Sequence, residues 1–420
     1  MNNRPLLLRL LLKLLARRLG LSFAAPLGVL VLCSGCMATG GKAPEGNNEP
    51  DLDLIYGVSI FGGLPTEEIA AVLPPDEVLN LTPEMRAFTR KLVGRSLPPL
   101  ERAKRLVHVL VRKDFFPKGY YTEHTRTASE VYDKRSGNCL SYTNLFVAMA
   151  RELGIRAHFQ FARIPPSWTS DSGYLVRSRH INVLVSDKKL SSSNWVTIDF
   201  NKVASASIYP SKPVSDAFAL SSYYNNLAVD KLYTRDYKST VALLAQAIEI
   251  EPNNSDAWVN LAAVYSKHNK DAETQAAFEA ALRAEPGHES ALAGLARLYR
   301  DRGELETAAI YTNEIRSRRE RDPYFQFATA QAAYENKAYE KSLKHIDKAI
   351  ELRARGSFFY LKALVHYARN ELSMANTSLK QAQDRKRTLP SKKQEHALLL
   401  AQRINAQTAI DNGLVVPTSR

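Results

Sequence analysis

The chain has 420 residues, of which 45% are hydrophobic, 24% are charged and 9% are aromatic. This is an ordinary globular composition, which excludes a globally disordered, collagen-like or polytopic membrane protein. Three cysteines exclude a disulfide scaffold. The sequence has no CxxC, HExxH, Walker A or GxGxxG motif, so we expect no metal and no cofactor. The length predicts two or three domains.

The formal net charge of +14 raises the question of nucleic-acid binding. Five of the basic residues lie within residues 1–35, which contain no acidic residue. The other basic residues are scattered, apart from a short cluster at 385–393, and no aromatic side chains are interleaved with them. This pattern indicates a solvated surface, and we expect no nucleic-acid partner.

The amino terminus has the pattern of a signal peptide over residues 1–35: a basic segment, an apolar run from Leu19 to Leu32, and small residues. The run is shorter than the ~20 residues of a spanning helix, although an uncleaved single-span anchor stays open. Cysteine directly after Ser-Gly resembles the lipobox of bacterial lipoproteins, which implies lipidation of Cys36. Residues 36–50 are then a flexible tether. The resemblance implies the cell envelope, with the periplasmic face of the outer membrane as destination because Met37 is not Asp.

The middle of the chain predicts helices around a single cysteine. Apolar spacing predicts an amphipathic helix over 98–116, and a Thr cap with Glu three residues later predicts a short helix over 127–135. A third helix is predicted from Leu140 to Leu153, ended by Gly154. Cys139 therefore lies at a helix N-terminus, where the dipole favours a thiolate and the backbone N–H groups can hold an oxyanion.

Beyond this helix the apolar pattern has a period of two and predicts three strands: Ile155–Ile164, His180–Val185 and Trp195–Phe200. If the last two strands pair as a hairpin, His180 and Asp199 lie at matching ends, and one register puts them on the same face. Cys139 packed beside that sheet would complete a Cys–His–Asp triad of nucleophile, base and orienting carboxylate.

The segments GNCLSYTNLFVAMARELGI, RHINVLV and WVTIDF resemble the core of the transglutaminase-like superfamily over about residues 85–205. The resemblance implies a papain-like α+β domain, which we place at 51–215. It assigns Cys139 as nucleophile, His180 as base and Asp199 as the carboxylate that orients the base. Members of the superfamily crosslink Gln to Lys, deamidate, or cleave peptides and amides, so the reaction stays open.

Each triad member also has an ordinary structural explanation: Cys139 as a core cysteine, His180 as a satisfied strand end, and Asp199 as a solvent-facing carboxylate. His158 and His124 are weaker candidates for the base, because we expect both to be exposed. Residues 51–84 contain a short strand-like stretch that should lead into the catalytic domain. Three further side chains are candidates to line the pocket or donate to an oxyanion: Tyr121, Asn138 and Trp195.

The carboxy-terminal half has a repeat of 34 residues, visible in Pro252 and Pro286, each of which ends a predicted helix. Large residues at positions 4 and 11 and small ones at position 27 resemble tetratricopeptide repeats. We place about five repeats at 221–388, a capping helix at 389–411 and a tail at 412–420. Such an array implies a docking surface for a protein or peptide, with a rigid spacer or dimer face as the alternative. The repeats start near Ser221, Ser255, Glu289, Pro323 and Ser357.

The sequence therefore predicts an α+β transglutaminase-like domain followed by an all-α repeat solenoid. The function that fits is a lipid-anchored enzyme that hydrolyses or transamidates a peptide or amide on a protein docked by the repeats. Two alternatives remain. One is a non-enzymatic envelope adaptor with a degenerate triad, and the other is a polysaccharide or secretion scaffold that uses only the repeats.

Overall fold

A computed structural model describes residues 51–63, 75–93, 97–115, 124–162, 168–171, 174–177, 180–186, 195–200, 209–385 and Leu400. The chain divides by its contacts into two units, Met1–Asn48 and Glu49–Arg420, and all described residues belong to the second. The predicted signal peptide, the tether, Cys36 and Tyr121 lie outside the described residues. The predicted tail and the predicted capping helix, apart from Leu400, also lie outside the described residues.

Helices dominate the described residues ahead of the sheet. A capping box starts α5, because Thr127 accepts from the Glu130 N–H while the Glu130 side chain accepts from the Thr127 N–H. A single 3₁₀ turn, Pro75–Glu77, precedes α3. The helices of this region are α1 (Leu52–Ile55), α2 (Val58–Phe61), α3 (Pro83–Val93), α4 (Pro99–Arg112), α5 (Ala128–Lys134) and α6 (Cys139–Glu152).

The described strands form a four-stranded antiparallel sheet in the order β5–β4–β1–β6 and a separate β2–β3 hairpin. The predicted pairing of β4 with β5 is present, whereas β2, β3 and β6 were not predicted because they are short and lack a clear alternation. The strands are β1 (Arg156–Ala162), β2 (Trp168–Asp171), β3 (Tyr174–Arg177), β4 (His180–Ser186), β5 (Trp195–Ile198) and β6 (Ser211–Pro213).

The core of the α+β domain lies between α6 and one face of this sheet. Every residue of α6 from Leu140 to Ala150 is buried, which is the pattern of a central helix rather than a surface one. Phe159, Val183 and Ile198 are paired across neighbouring strands and present a continuous apolar row to the core. Burying each such side chain stabilises the fold by about 1.5–3 kcal/mol. The sheet and α6 therefore form a rigid support for residues at their ends.

The remaining described helices pack in consecutive pairs, from α7 with α8 to α15 with α16. The first helices of the second, third and fourth pairs begin at Ser255, Glu289 and Pro323. None of the helices in the described segments is long and apolar enough to cross a membrane. The helices are α7 (Asp216–Tyr233), α8 (Tyr237–Ile250), α9 (Ser255–Lys267), α10 (Asp271–Ala284), α11 (Glu289–Asp301), α12 (Leu305–Arg321), α13 (Pro323–Glu335), α14 (Tyr339–Leu352), α15 (Gly356–Ala368) and α16 (Leu372–Asp384).

Residues 51–63 contact the repeat helices, and the strand-like stretch predicted in this region is wrong, because α1 and α2 are helical. The Tyr56 hydroxyl donates to Glu249 Oε1 at 2.6 Å, and the Tyr265 hydroxyl donates to the Leu54 carbonyl. Gly57, at φ 67°, allows the sharp turn that separates two short helices, a backbone conformation that disfavours other residues. The segment therefore packs against the repeats, although it lies far ahead of them in the chain.

Candidate active site

Cys139 is the first residue of α6 and is half-buried. A reciprocal capping box fixes the helix start: Asn138 Oδ1 accepts from the Ser141 N–H at 3.0 Å, and Ser141 Oγ accepts from the Asn138 N–H at 3.3 Å. The thiol therefore stands at the positive end of the helix dipole, which favours negative charge.

Gly137 has a steric reason to precede this helix start. A Cβ atom added there would lie 2.5 Å from Ser141 Cβ, a separation that atoms do not tolerate. Any larger residue would push the capping loop away from α6 and displace the cysteine. The Gly-x-Cys spacing is therefore required by the geometry of the cap.

Helix α6 is tied to β4 one turn beyond the cysteine. The Thr143 hydroxyl donates to the Ile181 carbonyl at 3.5 Å. Cys139 lies four residues before Thr143 on the same helix face, and His180 directly precedes Ile181. The contact between helix and strand therefore places the thiol beside the imidazole.

His180 and Asp199 form a short hydrogen bond, in which His180 Nε2 donates to Asp199 Oδ2 at 2.6 Å. His180 opens β4 with 7% of its side chain exposed, and Asp199 directly follows β5 with 21% exposed. The hairpin register brings them together: Val183 pairs with Ile198, so Asp199 lies beyond the last paired residue, toward the start of β4.

The imidazole also hydrogen-bonds the Cys139 side chain. Burial of the ring disfavours its charged form, but the hydrogen bonds to Asp199 and Cys139 outweigh that effect and raise the pKa of His180 from 6.5 to about 9. Since Nε2 is engaged by Asp199, Nδ1 is the nitrogen left for the thiol. This arrangement favours a thiolate–imidazolium pair near neutral pH.

Asn182 is a further residue of this site, to which the sequence analysis assigned no role. Its Nδ2 donates to Asp199 Oδ2 at 3.2 Å, and its residue is 2% exposed. Its Oδ1 is buried and has no hydrogen-bond partner among the described residues. The signal was available, because the period of two places Asn182 on the same strand face as His180.

The other predicted candidates lie apart from these three residues or serve other contacts. His124 is exposed and pairs with Asp230 at 3.2 Å. His158 is half-buried and Gln160, on the same strand face, is buried, so the predicted exposure of His158 is wrong. Asn138 caps α6 and donates to Thr125, which makes its role structural. Trp195 is 53% exposed at the start of β5.

A cleft of about 480 Å³ lies beside β5, between this strand and α4. It is lined by the β5 residues Val196, Thr197 and Ile198, which lead directly to Asp199. Most of its lining is aliphatic, with two basic side chains from α4, Lys104 and His108. Among the described residues, no group of three His, Cys, Asp or Glu residues is arranged to hold a metal ion.

Comparison with known proteins gives two family matches. Residues 86–200 match the transglutaminase-like superfamily, and residues 243–276 match the tetratricopeptide repeat. The first match contains Cys139, His180 and Asp199, and the second spans the junction of the first two helix pairs. No curated protein sequence matches the chain.

Solved structures resemble the repeat half at low TM-scores. YrrB, a tetratricopeptide-repeat protein with an unusual peptide-binding site, is 18% identical, with 42% of this chain and 90% of that one covered and a TM-score of 0.22. A thermophilic tetratricopeptide-repeat protein of Thermus thermophilus is 14% identical over 44% and 99% of the two chains, with a TM-score of 0.23. The pilF protein of Pseudomonas aeruginosa is 15% identical over 47% and 93%, also with a TM-score of 0.23.

The predicted fold class is confirmed: an α+β region with an antiparallel sheet precedes a long run of paired helices. Both family matches fall in the halves that the sequence assigned to them. The chain combines a transglutaminase-like domain with a tetratricopeptide-repeat region.

Proposed function

We propose that the chain is a cysteine acyl-transfer enzyme in which Cys139 is the nucleophile, His180 the acid and base, and Asp199 the group that orients His180. The observation that carries this proposal is the hydrogen-bonded series Cys139–His180–Asp199 at the N-terminus of α6. The combination supplies a nucleophile, a proton carrier and donors for an oxyanion at one place.

The chemistry follows from these positions. The Cys139 thiolate attacks the carbonyl carbon of an amide, and the negative charge that develops on the carbonyl oxygen faces the backbone N–H groups at the start of α6. The His180 imidazolium gives its proton to the departing nitrogen as the carbon–nitrogen bond breaks, which leaves a thioester on Cys139. Neutral His180 then takes a proton from water, and the resulting attack releases a carboxylic acid and restores the thiol.

We propose hydrolysis as the dominant outcome, because water is the acceptor available in an aqueous site. An amine in place of water would give transamidation by the same steps. The substrate class is a peptide or protein amide: the aliphatic cleft beside β5 suits an extended chain with apolar side chains that leads toward Asp199. The repeats would dock the protein that carries the amide.

We propose that Cys36 carries a lipid that holds the chain at the outer membrane, facing the periplasm. The support is the sequence pattern of residues 1–36. Metabolic labelling with an alkyne palmitate analogue should mark the wild-type chain, and Cys36→Ser should abolish the label and move the chain from the membrane to the soluble fraction. Labelling that survives Cys36→Ser would contradict the proposal.

The test of the enzyme proposal is the pH dependence of Cys139 alkylation by iodoacetamide in the full chain. Mass spectrometry of the peptide that contains Cys139 separates it from Cys33 and Cys36. An apparent thiol pKa well below about 8.5 supports an activated nucleophile. Slow labelling with an ordinary thiol pKa would overturn the proposal and leave the adaptor function.

The reaction type needs a second measurement. We expect a library of amide-capped peptides to yield free carboxylic acids, detected by mass shift, with wild-type chain and none with Cys139→Ser. Added primary amine should divert part of the product to a substituted amide if transamidation competes. Products that persist with Cys139→Ser would place the activity elsewhere.

A further inference from the structure

Tyr209 is a residue of the α+β domain whose ring is buried against the helical repeats. It lies just ahead of β6 and is 7% exposed. Its ring centroid is 5.8 Å from that of Tyr324 and 6.4 Å from that of Phe327, both on α13. A residue that leads into the sheet thus inserts its side chain into the fourth helix pair.

The receiving surface is built from three aromatic rings, which we call the aromatic seat: Tyr324, Phe327 and Phe358. Phe327 and Phe358 are stacked at 4.8 Å, and Tyr324 meets Phe358 edge-on at 5.9 Å. The seat and Tyr209 belong to one apolar cluster that is separate from the main core of the α+β domain and the first repeats. Tyr209 is therefore not an extension of its own domain's core.

The seat residues pack with Ala330, Ile346 and Ala349 of the fourth repeat, but the Tyr324 and Phe327 rings stand outside the positions that the repeats share. With repeats counted from Ser255, Glu289 and Pro323, packing uses positions 4, 11 and 27, whereas Tyr324 and Phe327 stand at positions 2 and 5. The second and third repeats carry other residue types at these two positions: Asp256, Val259, Ser290 and Ala293. The aromatic pair is thus particular to the fourth repeat.

The chemistry of the seat favours an uncharged ring. Burial, with a further contribution from the negative charge of Asp322, raises the pKa of Tyr209, so the phenol stays neutral. Arg355 Nη1 donates to the Tyr324 hydroxyl at 2.7 Å, which holds the wall of the seat in place. Tyrosine and phenylalanine therefore fit, and a phosphorylated tyrosine does not.

We propose that the aromatic seat is a recognition site for an aromatic residue in an extended peptide of a partner protein, and that Tyr209 occupies it in cis. This proposal deepens the partner-binding half of the proposed function by naming the place and the residue type. The resident ring itself shows which side chain the seat accepts. The occupant is a peptide, because the resident ring belongs to a stretch of chain that runs through Pro210 into strand β6.

Because Tyr209 occupies the aromatic seat, it competes with any partner peptide for the same contacts. A group tethered on the same chain has an effective concentration in roughly the millimolar range. A free peptide that makes the same contacts therefore binds only when Tyr209 leaves the seat. A partner that makes further contacts along the repeats overcomes this competition. Removing the Tyr209 ring should therefore raise the affinity for a simple probe peptide by about tenfold or more.

The probe is a fluorescein-labelled peptide of residues 204–214, ASASIYPSKPV, titrated with full chain and followed by fluorescence anisotropy. We expect Tyr209→Ala to bind it at least tenfold more tightly than wild type. Tyr209→Phe keeps the ring and should match wild type. Tyr209→Leu keeps most of the buried apolar area and should fall between them, which protects the test if the alanine variant is unstable.

Two controls locate the binding. Phe327→Ala added to Tyr209→Ala should remove the gain, whereas Tyr311→Ala, which alters a stacked ring in the third helix pair, should leave it unchanged. In the probe, Tyr209→Phe should bind as well as the original, and Tyr209→Ala should not. Absence of binding to every variant, or equal binding by wild type and Tyr209→Ala, would overturn the proposal.

The test is independent of the enzyme proposal, because Cys139 labelling is measured separately on the same variants. Peptide binding without an activated thiol would support the recognition site and contradict the enzyme proposal. An activated thiol with no peptide binding would do the reverse. With no peptide binding, the Tyr209 contact would be only a structural contact between the two halves of the chain.

Discussion

Among the residues that the structure describes, two buried histidine–aspartate pairs have nearly the same geometry, one in each half of the chain. His180 donates to Asp199 at 2.6 Å in the α+β domain, and His288 pairs with Asp256 at 2.9 Å in the repeats. The side chains of the two histidines are 7% and 1% exposed. Distance and burial alone would not tell a catalytic pair from a structural one.

The difference lies in the second ring nitrogen. In His288 the Nδ1 atom accepts from the Ala291 N–H at 3.3 Å and caps α11, so both nitrogens are committed to the fold. The His180 ring hydrogen-bonds a thiol in addition to Asp199, and since Nε2 is engaged by Asp199, we assign Nδ1 to that thiol. A buried imidazole can carry protons for a reaction only where one nitrogen is left for a reacting group.

The largest expected effect separates the two histidines by reactivity. His180→Ala removes the cation that stabilises the Cys139 thiolate, so iodoacetamide labelling of Cys139 at pH 6 should fall about 100-fold. His288→Ala is the matched control and should leave the labelling rate unchanged. Equal labelling of wild type and His180→Ala would show that the pair in the α+β domain is as structural as the one in the repeats.

A smaller effect is expected from the carboxylates. Asp199→Ala removes a major cause of the raised His180 pKa, so this pKa should fall from about 9 toward 6.5. Labelling of Cys139 at pH 8 should then drop roughly tenfold, because the imidazole there is neutral. The His180 pKa is measured directly by NMR of the ring protons, with Asp256→Ala as the control that leaves it unmoved.

The same raised pKa makes the stability contribution of the pair depend on pH. Because the folded-state pKa exceeds the unfolded value of 6.5, the contribution is complete below about 6.5 and is lost as the pH rises through about 9. The Tm difference between wild type and Asp199→Ala should therefore be largest near pH 6 and vanish above pH 9. A difference that grew with pH would contradict the charged imidazolium.

The smallest effect concerns the structural pair. His288→Ala removes the α11 cap and should cost about 1 kcal/mol of stability, which lowers the Tm by about 2–4 °C. His288→Asn keeps a side chain that can cap and should recover part of the loss. Calorimetry of the full chain distinguishes the variants. Unchanged stability in His288→Ala would mean that the cap contributes nothing.

Much of the fold could be predicted because its signals are local. The capping box of Thr127 and Glu130 and the helix ended near Gly154 need only neighbouring residues. The repeat period also follows from local spacing, since each helix pair packs mainly on its neighbours. The first repeat is the exception: α7 begins at Asp216, ahead of the predicted Ser221, because its start is set by the cap from Ser215.

The missed parts depend on contacts between distant residues. Strand β6 has three exposed residues and exists because it pairs with β1. The segment 51–63 is helical and packs against repeat residues some 190 to 210 positions away. No local pattern specifies such partners, since a short segment adopts the structure that its surroundings stabilise.

Within the candidate site, the sequence placed Cys139 at a helix start and His180 and Asp199 on neighbouring strands, because these positions follow from local periodicity and chain order. The tertiary structure alone decided the hairpin register that lets Asp199 reach His180 and Asn182, and it seated Tyr209 among the aromatic rings of the fourth repeat. The physical reason is that periodicity assigns a residue to a face, whereas a hydrogen bond or ring contact requires separations of a few ångströms that only the packed chain sets.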